Sequence, residues 1–167
     1  RRDQGHGSPV GRVSDDTRIP PHDPGAEKIV LGCAMLSPDA LTEAEAIVKP
    51  GDFYRPAHEL IFSTIVEMAA QKEPTDPVAI AARLVESGKL SRVGGGVYLH
   101  ECYSAPPTAA NVGYYAGIVA EKAKLRRLAA IATRFEHGIF GGEGTRKAAE
   151  IADMLREAVA DLDAART

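Results

Sequence analysis

Two glycine clusters are the places where this sequence could hold a phosphate. Gly141-Gly142-Glu143-Gly144-Thr145-Arg146-Lys147 offers glycines, a threonine and a lysine. A phosphate-cradling loop, however, needs Gly-Lys-Ser/Thr in that order at a helix start, so that the lysine reaches the β/γ-phosphates. Gly94-Gly95-Gly96 follows no strand-like run and lacks the third spaced glycine of a dinucleotide fingerprint. Both clusters read as turns between helices. His100 and Cys102 stand at i and i+2 and point to different sides of a helix, and no second His/Cys pair has zinc spacing, so no metal site is expected. Cys33 and Cys102 are far apart and form no CxxC, which reads as free buried thiols in a reducing compartment. His22 and His58 sit beside helix starts as structural or surface residues. Glu43 and Glu45 belong to an exposed helix face, and no serine stands in a nucleophile elbow. The residues assemble no catalytic constellation and no cofactor site.

The elements that carry these residues are helical. The 167 residues suit one domain, or one small domain with an appendage. With 44% hydrophobic and 26% charged residues most of the chain should fold, while an aromatic share of 5%, no tryptophan and abundant alanine favour close helix packing. A net charge of −3 argues against a protein devoted to gripping nucleic acid. The longest apolar run, Ile29 to Leu36, is far shorter than the roughly 18 residues of a membrane-spanning helix. With no signal peptide visible, the expected location is the cytoplasm. The chain starts Arg1-Arg2 and ends Arg166-Thr167 without a helix stop, so both ends read as cuts or processing.

Residues 1–19 mix both charge signs with Gly, Ser and Pro and show no apolar period, the pattern of a flexible tail. An N-capping residue followed by proline then recurs at Asp23-Pro24, Ser37-Pro38 and Asp76-Pro77, and each pair marks a helix start. Helices are expected over Pro24–Leu36, Pro38–Val48, from Pro56, over Pro77–Ser87 ending at Gly88, and over Gly95–Tyr103. Pro56 should place Phe53 as an apolar anchor under this bundle. Thr108 should cap a long helix to about Gly138, and Thr145 a last one to about Ala164, giving a globular bundle over 20–107 and a protruding αα-hairpin over 108–164. No period-2 alternation appears, so the expected fold class is all-α.

The hairpin has more apolar positions than two helices can cover. In its second arm Ala148, Ile151, Leu155, Ala158 and Leu162 form a heptad seam. In the first arm Ile118, Leu125, Leu128, Ala132, Phe135 and Ile139 keep a similar seam, interrupted around Glu121-Lys122, and Tyr114, Ala129, Ile131 and Met154 lie off the seam. Each arm offers its partner only one stripe, so another copy of the hairpin is the economical cover. The first arm carries Lys122, Lys124, Arg126, Arg127 and Arg134, the second Glu150, Asp153, Glu157, Asp161 and Asp163, a complementarity suited to pairing between helices.

Several segments, in one order, resemble the amino-terminal domain of DnaB-type replicative helicases. They are Pro20-Pro21 with Ala26-Glu27 and Val30-Leu31-Gly32; Asp52-Phe53-Tyr54-Arg55-Pro56-Ala57-His58 with Ile61-Phe62; Glu73-Pro74 with Asp76 and Val78; Gly94-Gly95 with Tyr98-Leu99; and Pro107-Thr108-Ala109-Ala110-Asn111 leading to Tyr114-Tyr115-Ala116, Ile118-Val119 and Leu125-Arg126-Arg127-Leu128. The chain departs from the family pattern at Lys72, where a turn glycine is common, and at Pro77 and Ala129, where bulkier aliphatics are usual.

The resemblance implies a helical bundle with a hairpin that pairs between subunits, giving dimers that assemble into a collar of three dimers on a hexameric ring. It also implies docking of primase, with a helicase loader as a further partner and DNA contact weak or indirect. On this reading the oligomer surface comprises Tyr114, Ile118, Leu125, Leu128, Phe135, Ile151, Met154, Leu155 and Leu162, and partner docking uses Tyr98, Arg126, Arg127 and Ala129. ATP and magnesium are implied only for a motor domain outside this sequence, so the chain alone is expected to be no enzyme. A stand-alone helicase regulator lacking the motor, or a small helical DNA-binding regulator using the basic arm, would fit the same residues.

Overall fold

The computed structural model describes residues 18–141 and 147–164, in which seven α-helices and three single 3-10 turns occur and no strand. The helices are α1 (Pro24–Leu36), α2 (Pro38–Glu45), α3 (Pro56–Ala70), α4 (Pro77–Glu86), α5 (Gly95–Ser104), α6 (Val112–Phe140) and α7 (Ala148–Ala164). The all-α class and the order of bundle then hairpin agree with the sequence. Three starts are built as the capping pairs require. Asp23 Oδ1 accepts from the Ala26 N–H at 2.9 Å, Ser37 Oγ from Ala40 at 3.3 Å, and Asp76 Oδ1 from Val78 and Ala79 at 2.9 and 3.1 Å. Each proline that follows occupies the first helical turn, where a missing N–H leaves nothing unpaired.

Two boundaries differ from expectation. Helix α2 stops at Glu45, not Val48, because Pro50 forces Lys49 into extended backbone (φ −114°, ψ 161°). The Val48 N–H still reaches the Ala44 carbonyl at 2.8 Å, and the turn delivers its side chain into the core. Thr108 caps a 3-10 turn, Ala109–Asn111, so α6 begins only at Val112. Residues 1–17 of the tail expected over 1–19, and the Thr145 cap, lie outside the described residues.

Helix α1 is the hub and packs against α2, α3, α5 and α6. Around it Leu31, Ile61, Phe62, Ile80, Leu84 and Leu99 are fully buried. Its crossing with α5 is close because Gly32 has no side chain: a Cβ there would sit 2.2 Å from the Cys102 carbonyl oxygen and 2.5 Å from Pro106 Cδ. Cys33 and Cys102, on either side of this contact, are both buried free thiols.

Helix α6 belongs to two structures at once. Its first half buries Val112, Ala116 and Val119 in the bundle core and Ala123 just beyond it, and no later residue of the helix is buried. The same face, continued at Arg127, Ala130, Ile131 and Arg134, lines the groove beside Ala158 and Leu162 of α7. One face of a straight helix therefore serves the bundle first and the second arm afterwards.

A surface stripe and its anchor

The register that α6 takes from the bundle decides which residues remain outside. Ile131, set off the seam by the heptad reading, lies at the groove between the arms. The seam residues Leu125 and Leu128 are each 39% exposed, and Ile139 is 55% exposed. Tyr114 is 72% exposed, while Ile118 and Phe135 are half-buried. Tyr114, set off the seam by the heptad reading, falls in step with it: positions 114 and 118, then 125, 128, 132, 135 and 139, follow the 3- and 4-residue steps of one stripe, so α6 shows an apolar row on the side away from α7 that is interrupted only at Glu121-Lys122. On α7, Leu155 and Val159 are exposed, Ile151 and Met154 half-buried, and only Leu162 is buried. From Leu125 onward the seam in the first arm thus faces outward and is not closed by its own hairpin, because packing at Val112, Ala116 and Val119 has already fixed the rotation of the helix.

The hairpin is rooted in the segment Asp52–His58, in which Asp52, Phe53, Tyr54 and His58 tie α6, α3 and α1 together. Asp52 is buried, accepts from the Lys49 N–H through Oδ2 at 2.8 Å, and pairs through Oδ1 with Arg127. Phe53, 3% exposed, packs on Phe62 with ring centroids 4.8 Å apart, the anchor position expected of it. The Tyr54 N–H donates to Glu27 Oε1, and the Tyr54 ring stacks on His22 at 4.2 Å and lies 5.5 Å from the Arg126 guanidinium. Arg126 donates to the Pro21 carbonyl at 2.8 Å and to the Asp52 carbonyl.

His58 closes a buried network. A carboxylate only accepts, so Nδ1 donates to Glu27 Oε2 at 2.6 Å, and Nε2 pairs with the Tyr98 hydroxyl, also at 2.6 Å. Hydroxyl, imidazole and carboxylate in a row can activate a nucleophile, but here His58 is fully enclosed and the hydroxyl turns inward. The row ties α1, α3 and α5 together. Burial raises the Tyr98 hydroxyl above its ordinary pKa and pushes the Cys102 thiol up to about 11. Lys28 covers the Tyr98 ring at 5.3 Å and pairs with Glu101 at 3.3 Å.

The residues expected to dock a partner are therefore placed unequally. Ala129 and Arg127 are exposed on α6, Arg126 is turned onto the bundle, and Tyr98 is half-buried with its hydroxyl engaged. Sequence reasoning passed over Glu27 and Asp52. A carboxylate such as Glu27, four residues before Leu31 on the apolar face of α1, is the signal of a buried partner. Among the described residues no group of three His, Cys, Asp or Glu could hold a metal ion, and no helix is long and apolar enough to cross a membrane.

The model of the family "DnaB-like helicase N terminal domain" matches residues 19–121. The replicative DNA helicase DnaB of Mycobacterium leprae is 46% identical over 149 residues, covering 89% of this chain and 24% of that protein. That of Geobacillus stearothermophilus is 45% identical over 141 residues, 84% of this chain and 30% of that protein. The chain thus spans less than a third of the length of these relatives. The crystal structure of the N-terminal domain of DnaB helicase from Mycobacterium tuberculosis matches with a TM-score of 0.77 at 46% identity, over 86% of this chain and 99% of that one. A DnaB-like replicative helicase, solved in a study of its interactions with primase, shares the fold with a TM-score of 0.66 at 21% identity, over 84% of this chain and 31% of that one.

Proposed function

The chain belongs to the DnaB-like helicase N-terminal domain family, and from that membership we propose that it is the non-catalytic assembly and docking domain of a replicative DNA helicase. The bundle over 20–107 supports the hairpin over 108–164, which pairs with the hairpin of a second copy; three such dimers form a collar on a hexameric ring. Primase docks on the outer face of α6 around Ala129, with Arg126, Arg127 and Tyr98 at the inner edge of the docking surface, and a helicase loader is a further partner. ATP and magnesium act in a motor domain that is separate from this unit. The solved DnaB-like helicase studied with primase supports the docking half of this reading by shared fold alone.

The single observation that carries the reading is the outward stripe of α6, in which Tyr114, Leu125, Leu128 and Ile139 remain exposed, together with the separately exposed Leu155 and Val159 of α7. Exposed apolar rows of this kind mark a surface that another molecule covers. Sedimentation of the parent chain should show a concentration-dependent dimer. Leu155→Asp puts an unpaired charge into that contact and should weaken self-association by about 100-fold or more. A parent chain that stays monomeric at every concentration overturns the assembly role. Failure of the parent to bind the helicase-binding domain of primase overturns the docking role.

A further inference from the structure

We propose that Arg126 and Arg127 are positioning residues that latch the hairpin to the bundle at one angle, so that the stripe and docking face are presented in a fixed direction; the proposal rests on the assembly reading only for its consequence. The last residue that α6 places in the bundle core is Val119. Alongside this stretch and on to Arg127 runs a cleft of about 500 Å³ whose lining includes Ile47, Asp52, Gly117, Lys124, Arg127 and Leu162. The neck of the hairpin is therefore not packed solid, and apolar contact alone leaves its angle soft.

Two adjacent guanidinium groups join α6 to the bundle at this level, Arg127 from the lining of the cleft and Arg126 from outside it. Arg126 is bonded to the Pro21 and Asp52 carbonyls, and Arg127 to the Asp52 carboxylate. Their common target is rigid: Asp52 is held by the Lys49 N–H and is followed by buried Phe53 and by Tyr54, whose N–H is fixed by Glu27. Planar, charged donors aimed at fixed acceptors define direction as well as distance. The lever they control is long. From Ala123 to Phe140, at about 1.5 Å per residue, α6 extends about 25 Å, so a 10° tilt at the neck moves the tip by about 4 Å.

The test is an intrachain distance. Exposed Glu86 and Glu136 are changed to cysteine and spin-labelled; the native thiols are buried. The labelled chain is diluted into excess unlabelled parent so that only distances within one chain are read. The parent should give one narrow distribution. Arg126→Ala with Arg127→Ala should broaden it and shift its mean by more than the parent width, with helical circular dichroism retained. Arg127→Lys on the parent background, which keeps a donor for Asp52, should stay close to the parent. An unchanged distribution in the double-alanine chain overturns the latch. Should that chain lose its helical signal, Arg127→Ala alone is judged by the same criterion, since its guanidinium is half exposed. Sedimentation of the parent separates the two claims: a monomer with a narrow distribution sensitive to the arginines removes the assembly role and leaves the latch standing.

Discussion

Replacing Gly32 by alanine separates steric fit from helix propensity, because the two act in opposite directions at this position. The new Cβ would lie 2.2 Å from the Cys102 carbonyl oxygen, and that backbone atom would have to retreat to the 3.4 Å of an ordinary contact. The movement exceeds an ångström at the crossing of two helices whose neighbours, Leu31 and Leu99, are fully buried. Overpacking against a fixed backbone belongs at the upper end of the usual range, about 3 kcal/mol, and the better helix propensity of alanine returns about 1 kcal/mol. The net loss is about 2 kcal/mol, or a fall of about 4–8 °C in Tm for a chain of this size. Gly117 supplies the control, since a Cβ there meets nothing within 4 Å. Gly117→Ala should gain about 0.5–1 kcal/mol from propensity alone. Urea unfolding at one fixed protein concentration should lower the midpoint for Gly32→Ala, raise it for Gly117→Ala, and leave the slope unchanged in both. Equal shifts of the same sign in the two variants would refute the steric account.

Phe53→Ala removes an enclosed ring that packs on Phe62 and should cost about 3–5 kcal/mol; a thermal midpoint within a degree or two of the parent would show the ring to be dispensable to the core. Tyr98→Phe leaves His58 Nε2 without its partner and should cost about 1–3 kcal/mol while keeping the ring available to primase. Tyr98→Ala should lose both stability and primase binding. Undiminished stability in the phenylalanine variant rejects the buried pairing, and undiminished primase binding in the alanine variant rejects Tyr98 as a docking anchor.

Local chemistry made much of the fold readable in advance. A cap oxygen and a following proline act within one turn, so Asp23, Ser37 and Asp76 located the starts of three helices, and the expected stop at Gly88 has the left-handed backbone that glycine adopts freely (φ +68°). Lys72, read as standing where a turn glycine is common, is the one non-glycine among the described residues with positive φ (+59°). The side of α6 that faces α7 was not readable, since a heptad pattern gives the spacing of a stripe but not the neighbour it meets. That choice was made by Val112, Ala116 and Val119 through their place in the bundle core. Likewise, the Arg126-Arg127 pair reads as a basic surface until the fold brings Asp52 and Pro21 to it across about 75 and 105 residues of chain.

The two enclosed cysteines give the α1/α5 crossing a chemical clock. Thiol reagents attack the thiolate, and with its pKa pushed up to about 11 Cys102 holds on the order of one thiolate in ten thousand at neutral pH even before burial denies the reagent access. Alkylation at this site therefore proceeds through molecules in which the crossing has parted. Where closing outruns modification, the labelling rate divided by the rate of an unstructured thiol is the equilibrium constant for that opening. The local free energy of the hub helix can thus be followed in the unmodified chain while the hairpin is paired or free, and a difference between the two would measure how far assembly at the periphery tightens the centre.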